Sequence, residues 1–124
     1  MKEKNLHNQI CTYIKIQYPN IIFLSDMSGL KTSIGTAVQM KALRSGRAIP
    51  DLIILQPNNL FNGLLIEIKV KVSDVYLKDL KTIKTNEHIK EQEIMLKRLS
   101  DLGYCATFGI GFDNCKKIID DYLK

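Results

Sequence analysis

Three charged residues interrupt the most apolar part of this chain. Asp51 follows Pro50 and opens the run LIIL, while Glu67 and Lys69 lie inside GLLIEIKV. In a strand, side chains alternate between faces, so Glu67 and Lys69 share one face with Leu65 and Lys71. Leu64, Ile66, Ile68, Val70 and Val72 share the other, which belongs in a core. If the two apolar runs pair as a hairpin, Asp51 is brought to Glu67 and Lys69 although 16 to 18 residues separate them in sequence. Two carboxylates at one sheet end form a hard, oxygen-rich site suited to Mg²⁺ or Mn²⁺. Such an ion polarises a phosphoryl oxygen and lowers the pKa of a bound water. A lysine ammonium beside it positions or deprotonates that water and holds charge near phosphate.

The elements that must place these residues follow from periodicity. Residues 3–18 are predicted helical, with Leu6, Ile10, Tyr13, Ile14 and Gln17 at helical spacing and Pro19 as the stop. A short buried strand is expected at 21–25, a loop through Gly29, and a weaker helix at 34–43. Strands at 52–55 and 64–72 flank the turn QPNN and read as the hairpin. Residues 73–86 are polar and irregular. A helix at 87–102 ends at Gly103, a strand follows at 104–110, and a last amphipathic helix buries Cys115, Ile118, Ile119, Tyr122 and Leu123. Asp113 is its expected N-cap. The order αβαββαβα predicts an α/β domain, a small mixed sheet flanked by helices, over residues 1–124.

Gln92 makes an independent case. It interrupts the apolar stripe of Ile89, Met95, Leu96, Leu99 and Leu102, and an inward amide left without partners costs about 1–3 kcal/mol. Glu3 precedes Leu6 and Ile10 on the stripe of the first helix. Blander readings remain for each residue: Asp51 as a turn cap, Glu67 and Lys69 as solvated charges on an open face, Gln92 as a core-edge amide, Glu3 as surface. His7 and His88 have no partner at metal-binding spacing and read as structural or exposed.

The net charge is +5, which admits nucleic acid as a partner without demanding it. Lys31, Lys41, Arg44 and Arg47 precede Asp51 and Lys71 follows Lys69. They form either a solvated face or a phosphate-gripping rim. Three cysteines without C-x-x-C spacing read as reduced thiols of a cytoplasmic protein. No apolar run approaches a membrane span. There is no glycine-rich phosphate loop, which counts against a phosphate-ester hydrolase acting on small nucleotides, and no small-molecule cofactor is expected.

P-D followed by E-x-K across a hairpin resembles the PD-(D/E)xK nucleases. SGRAIPDLIIL, GLLIEIKV and HIKEQEIMLKRLSDLGY together resemble the virus-type replication-repair nuclease (VRR-NUC) family over nearly the whole chain. The resemblance implies a restriction-endonuclease-like core and a metal-dependent endonuclease leaving a 5′-phosphate and a 3′-hydroxyl. Asp51, Glu67 and the Ile68 carbonyl would hold the ion, Lys69 would act on the water, and Gln92 would match the family's motif glutamine. Glu3 matches its first-helix glutamate, which faces the metal. Small stand-alone members resemble Holliday-junction resolvases, which implies branched DNA, a homodimer, a role in DNA repair, and a bacterial or phage source. The competing class is a nucleic-acid-binding or assembly module that keeps the fold without catalysis. Against it, paired acids repel phosphate.

Overall fold

A computed structural model describes residues 2–26, 33–46 and 48–124. Its elements run α1 (Glu3–Gln17), β1 (Phe23–Ser25), α2 (Ile34–Ala42), β2 (Leu52–Ile54), β3 (Leu64–Lys69), α3 (Glu87–Asp101), β4 (Cys105–Ile110) and α4 (Gly111–Leu123). This is the predicted order, with one 3₁₀ turn added at Val72–Asp74. The four strands form one mixed sheet in the order β1-β2-β3-β4. β1, β2 and β3 are antiparallel, whereas β4 runs parallel to β3 and is reached through α3. The hairpin is present, with Leu52 opposite Ile66 and Ile54 opposite Leu64. One step further in that register sets Asp51 opposite Glu67.

Leu6, Ile10 and Ile14 of α1 and Cys115, Ile119 and Tyr122 of α4 pack with Leu52, Ile54, Leu64, Ile66 and Ile68 into the core. The other sheet face lies under α3, whose buried residues are Ile89, Gln92 and Leu96. β3 is therefore covered on both sides, and Glu67 is only 5% exposed. This excludes the reading of Glu67 as a solvated charge on an open face. Gly109 permits the close packing of β4 on α4, since a Cβ there would lie 2.6 Å from both Cys115 Sγ and Ile66 Cγ2.

Helix ends follow local chemistry. Asn86 caps α3 by accepting from the Ile89 N–H at 2.9 Å, and Gly103 takes a φ of +95° just beyond it. At the far end of α1, the Tyr13 and Tyr18 hydroxyls donate to Asp120 Oδ1 of α4 at 2.6 and 2.7 Å. Lys116 adds a bond to Oδ2 at 3.2 Å. These bonds hold the Asp120 carboxyl down at about 2 even though burial, the largest single influence, opposes them.

Several expectations are corrected. β3 stops at Lys69 because Asp74 Oδ2 accepts from the Lys71 N–H at 2.9 Å and winds the chain into the 3₁₀ turn, which leaves Val72 outside the core. β1 is an edge strand with Leu24 exposed, so it is not buried. Leu55 and Leu102 are likewise exposed. Asp113 does not cap α4: the helix starts at Gly111, and Asn114 Oδ1 accepts from the Ile110 N–H instead. The three cysteines are free, as expected. No helix among the described residues is long and apolar enough to cross a membrane.

Candidate active site

The hairpin register delivers Asp51 and Glu67 to one end of the sheet, between the first turns of α1 and α3. The Asp51 carboxylate is fixed by its neighbour strand, with Oδ2 accepting from the Ile68 N–H at 3.1 Å. Its own carbonyl accepts from the Asp26 N–H at 2.6 Å, which extends the β1–β2 pairing by one step. Glu67 Oε1 accepts from Gln92 Nε2 and lies 3.8 Å from Lys69 Nζ. Gln92 Nε2 also lies 3.2 Å from His88 Nε2, which accepts when the imidazole carries its proton on Nδ1. The predicted inward amide is thus buried and meets an acid.

Burial is the largest influence on both carboxyls and raises both. For Asp51 the Ile68 N–H and Lys69 pull the other way, while the charge of Glu3 adds to the rise. For Glu67 the Asp51 charge adds to the rise and Lys69 opposes it. The two carboxyls act on each other, so the raised affinity for protons belongs to the pair. Its Oε2 is buried without a hydrogen-bond partner, as are His7 Nε2 and Gln92 Oε1. A cation resolves such a site, because it satisfies orphaned oxygens and lowers both carboxyl pKa values together. The donor set of two acids at a strand end therefore fits Mg²⁺ or Mn²⁺.

Glu3 lies at this end too, with its side chain 42% exposed. Its Oε1 is 3.8 Å from His7 Nε2, and ligand atoms of Glu3, His7 and Asp51 lie within 4.8 Å of one another. His7, read from sequence as structural or exposed, is buried beside Glu3. The available signal was its place four residues after Glu3, which puts both on one helix face.

Beside the acids opens a cleft of about 420 Å³, lined by Glu3, Lys69, Val70, Asp74, Lys84, Asn86, His88 and Ile89. Lys84 joins Lys69 here and was not singled out before. Of the expected basic rim, Lys41 and Lys71 are exposed, whereas Arg44 is ion-paired with Asp26. Lys31 and Arg47 lie outside the described residues.

The sequence matches no protein-family model and no curated protein. Among solved structures, one titled "VRR_NUC domain protein" superposes with a TM-score of 0.64 at 22% identity, over 99% of this chain and 88% of that one. The fold is that of a VRR_NUC domain. Within this VRR_NUC fold, the motif residues chosen from sequence, Asp51, Glu67, Lys69 and Gln92, converge at one sheet end. Glu3 and His7 approach the same end from the first helix.

Proposed function

We propose that the chain is a divalent-metal-dependent endonuclease that hydrolyses DNA phosphodiesters. The observation that carries this reading is a pair of buried carboxyls, Asp51 and Glu67, held across a hairpin with Lys69 beside them and one carboxyl oxygen left orphaned. Paired acids repel phosphate unless a cation lies between, so a module that only bound nucleic acid would gain nothing from them. The resemblance of P-D and E-x-K to the PD-(D/E)xK nucleases points the same way.

When bound, Mg²⁺ or Mn²⁺ supplies Lewis-acid polarisation of the scissile phosphate and a more acidic water. Asp51 and Glu67, with the Ile68 carbonyl, would hold it. The Ile68 N–H fixes the Asp51 carboxylate and Gln92 fixes that of Glu67, so the ligands need little reordering on loading. Lys69 Nζ, 3.8 Å from Glu67 Oε1, orients the attacking water and faces the charge that develops on phosphate. The products are a 5′-phosphate and a 3′-hydroxyl. Exposed Lys41 and Lys71, with Lys31 and Arg47, supply the sequence-independent attraction for the backbone, to which Arg44, paired with Asp26, adds less.

The favoured substrate in this reading is branched DNA, cut by a homodimer in DNA repair in a bacterial or phage-infected cytoplasm. The described residues carry one candidate centre per chain, and resolving a four-way junction takes two symmetric nicks, which a two-fold dimer supplies. The test is cleavage of duplex, flap, single-stranded and four-way-junction DNA with Mg²⁺ and Mn²⁺, by wild type and Asp51→Ala. Junction cleavage that needs metal and disappears in the variant is expected. Light scattering on the same preparations checks the dimer. A folded Asp51→Ala protein with full activity overturns the assignment.

A further inference from the structure

We propose that His7 Nε2 is a metal ligand which, with Glu3 and Asp51, makes this end of the sheet a mixed nitrogen–oxygen site that favours Mn²⁺ over Mg²⁺. The inference rests on the metal-dependent reading above and adds a ligand and a metal preference to it.

His7 is 1% exposed, which is unusual for an imidazole on the first turns of a helix. Its two ring nitrogens meet different surroundings. Nδ1 lies 3.3 Å from Ser25 Oγ on β1, within hydrogen-bond reach. Nε2 is buried with no hydrogen-bond partner, since Glu3 Oε1 at 3.8 Å is too distant to accept from it. With Nδ1–H donating to Ser25, the Nε2 lone pair is directed at the acids. That is how proteins prepare a ligating histidine: the second nitrogen is tied to a fixed acceptor, which sets both tautomer and ring orientation.

The spacing agrees. Glu3 and His7 are one helical turn apart, and their ligand atoms and that of Asp51 all lie within 4.8 Å of one another. Three atoms each ~2.1–2.2 Å from one ion lie ~3.7 Å apart when spread evenly around it, so contraction by about 1 Å at most closes the set. Asp51 belongs to this group and to the pair with Glu67, so it stands between the two sets of ligands.

The nitrogen carries the selectivity. Mg²⁺ is hard, binds through oxygen and keeps several waters. Imidazole suits later first-row ions, and Mn²⁺ accepts both carboxylate and imidazole. A site of oxygens alone would discriminate little between the two.

The experiment loads the full chain with Mn²⁺ and records pulsed EPR for ¹⁴N coupling to the ion. Calorimetric affinities for Mn²⁺ and Mg²⁺ accompany it, for wild type, His7→Gln and His88→Ala. Imidazole nitrogen coupling in wild type, retained in His88→Ala and lost in His7→Gln, is expected. Mn²⁺ should bind wild type at least ~10-fold more tightly than Mg²⁺, and His7→Gln should narrow that ratio mainly through weaker Mn²⁺ binding. The wild-type spectrum needs no variant, so misfolding of His7→Gln leaves the test intact. Mn²⁺ bound without nitrogen coupling overturns the ligand and leaves the nuclease reading standing. Coupling that persists in His7→Gln, or an unchanged affinity ratio, also overturns it. A wild-type protein that binds neither ion overturns both readings.

Discussion

Gln92 on α3 donates its side-chain amide to Glu67 Oε1 on β3, and so the polar member of the helix's three buried residues is spent on an acid. Gln92→Leu completes the apolar stripe and removes the orphaned Gln92 Oε1, but it strips Glu67 of its donor. These effects oppose each other, so unfolding free energy should stay within ~1 kcal/mol of wild type. Cleavage should fall ~10- to 100-fold, as when an outer hydrogen bond to a metal ligand is lost. Denaturant melts and single-turnover cleavage check this. A variant that cleaves at the wild-type rate would return Gln92 to an ordinary core-edge role.

The raised Asp51 and Glu67 carboxyls make a statement about stability. Burial places their folded-state pKa values above the unfolded ones, so the protonated forms favour folding. That contribution is full below about pH 4, the ordinary carboxylate value, and is lost as pH rises through the raised values. In EDTA, Glu67→Gln should therefore melt higher than wild type at pH 8, by about 3–5 °C for each ~1 kcal/mol, with a smaller gap at pH 5. Saturating Mn²⁺ should reverse the order at pH 8, because only the acid binds it well. Thermal melts across pH, with and without metal, decide it; a gap that does not vary with pH would refute the linkage.

Lys69 Nζ is ion-paired with Glu67 Oε1 at 3.8 Å and lines the cleft beside the acids. Lys69→Ala should lower kcat by roughly 10²-fold or more. DNA affinity measured in Ca²⁺ should change little, since other lysines supply the general attraction. A large loss of binding with unchanged turnover would reassign Lys69 to gripping phosphate.

Gly109 offers a test of the fold apart from the chemistry. A methyl there meets Cys115 Sγ and Ile66 Cγ2 at 2.6 Å, both in the core. Gly109→Ala should destabilise by about 1–3 kcal/mol through overpacking. Gly109→Ala combined with Cys115→Ala should recover part of that loss. A denaturant melt of the two proteins measures both, and an unaffected single variant would contradict the packing of β4 on α4.

Much of this was legible because two periods do most of the work. The alternation in GLLIEIKV put Glu67 and Lys69 on one face, and the hairpin brought Asp51 to them. Gln92 was legible as a polar break in an apolar helical stripe. The approach of His7 to Asp51 was hidden because partners were judged along the sequence, where Glu3 is a neighbour but Asp51 is distant. The end of β3 was hidden because alternation continues to Val72, while the Asp74 carboxylate turns the backbone away at Lys71. Arg44 looked free because its pairing with Asp26 depends on tertiary closure. An edge strand such as β1 carries the same apolar letters as a central one, so composition could not expose Leu24.

Asp120 reaches the chemistry through length. Tyr13 and Tyr18 fasten one end of α1 to it, and Glu3 and His7 occupy the other end. At about 1.5 Å per residue, the arm from Tyr13 back to Glu3 measures ~15 Å. Ligand distances at a metal hold to about 0.2 Å, so on such an arm a pivot of roughly 1° moves the tip out of range. In the proposed site the helix is a pointer, aimed by the core packing of Leu6, Ile10 and Ile14 and, at its far end, by two phenol hydroxyls on one distant carboxylate.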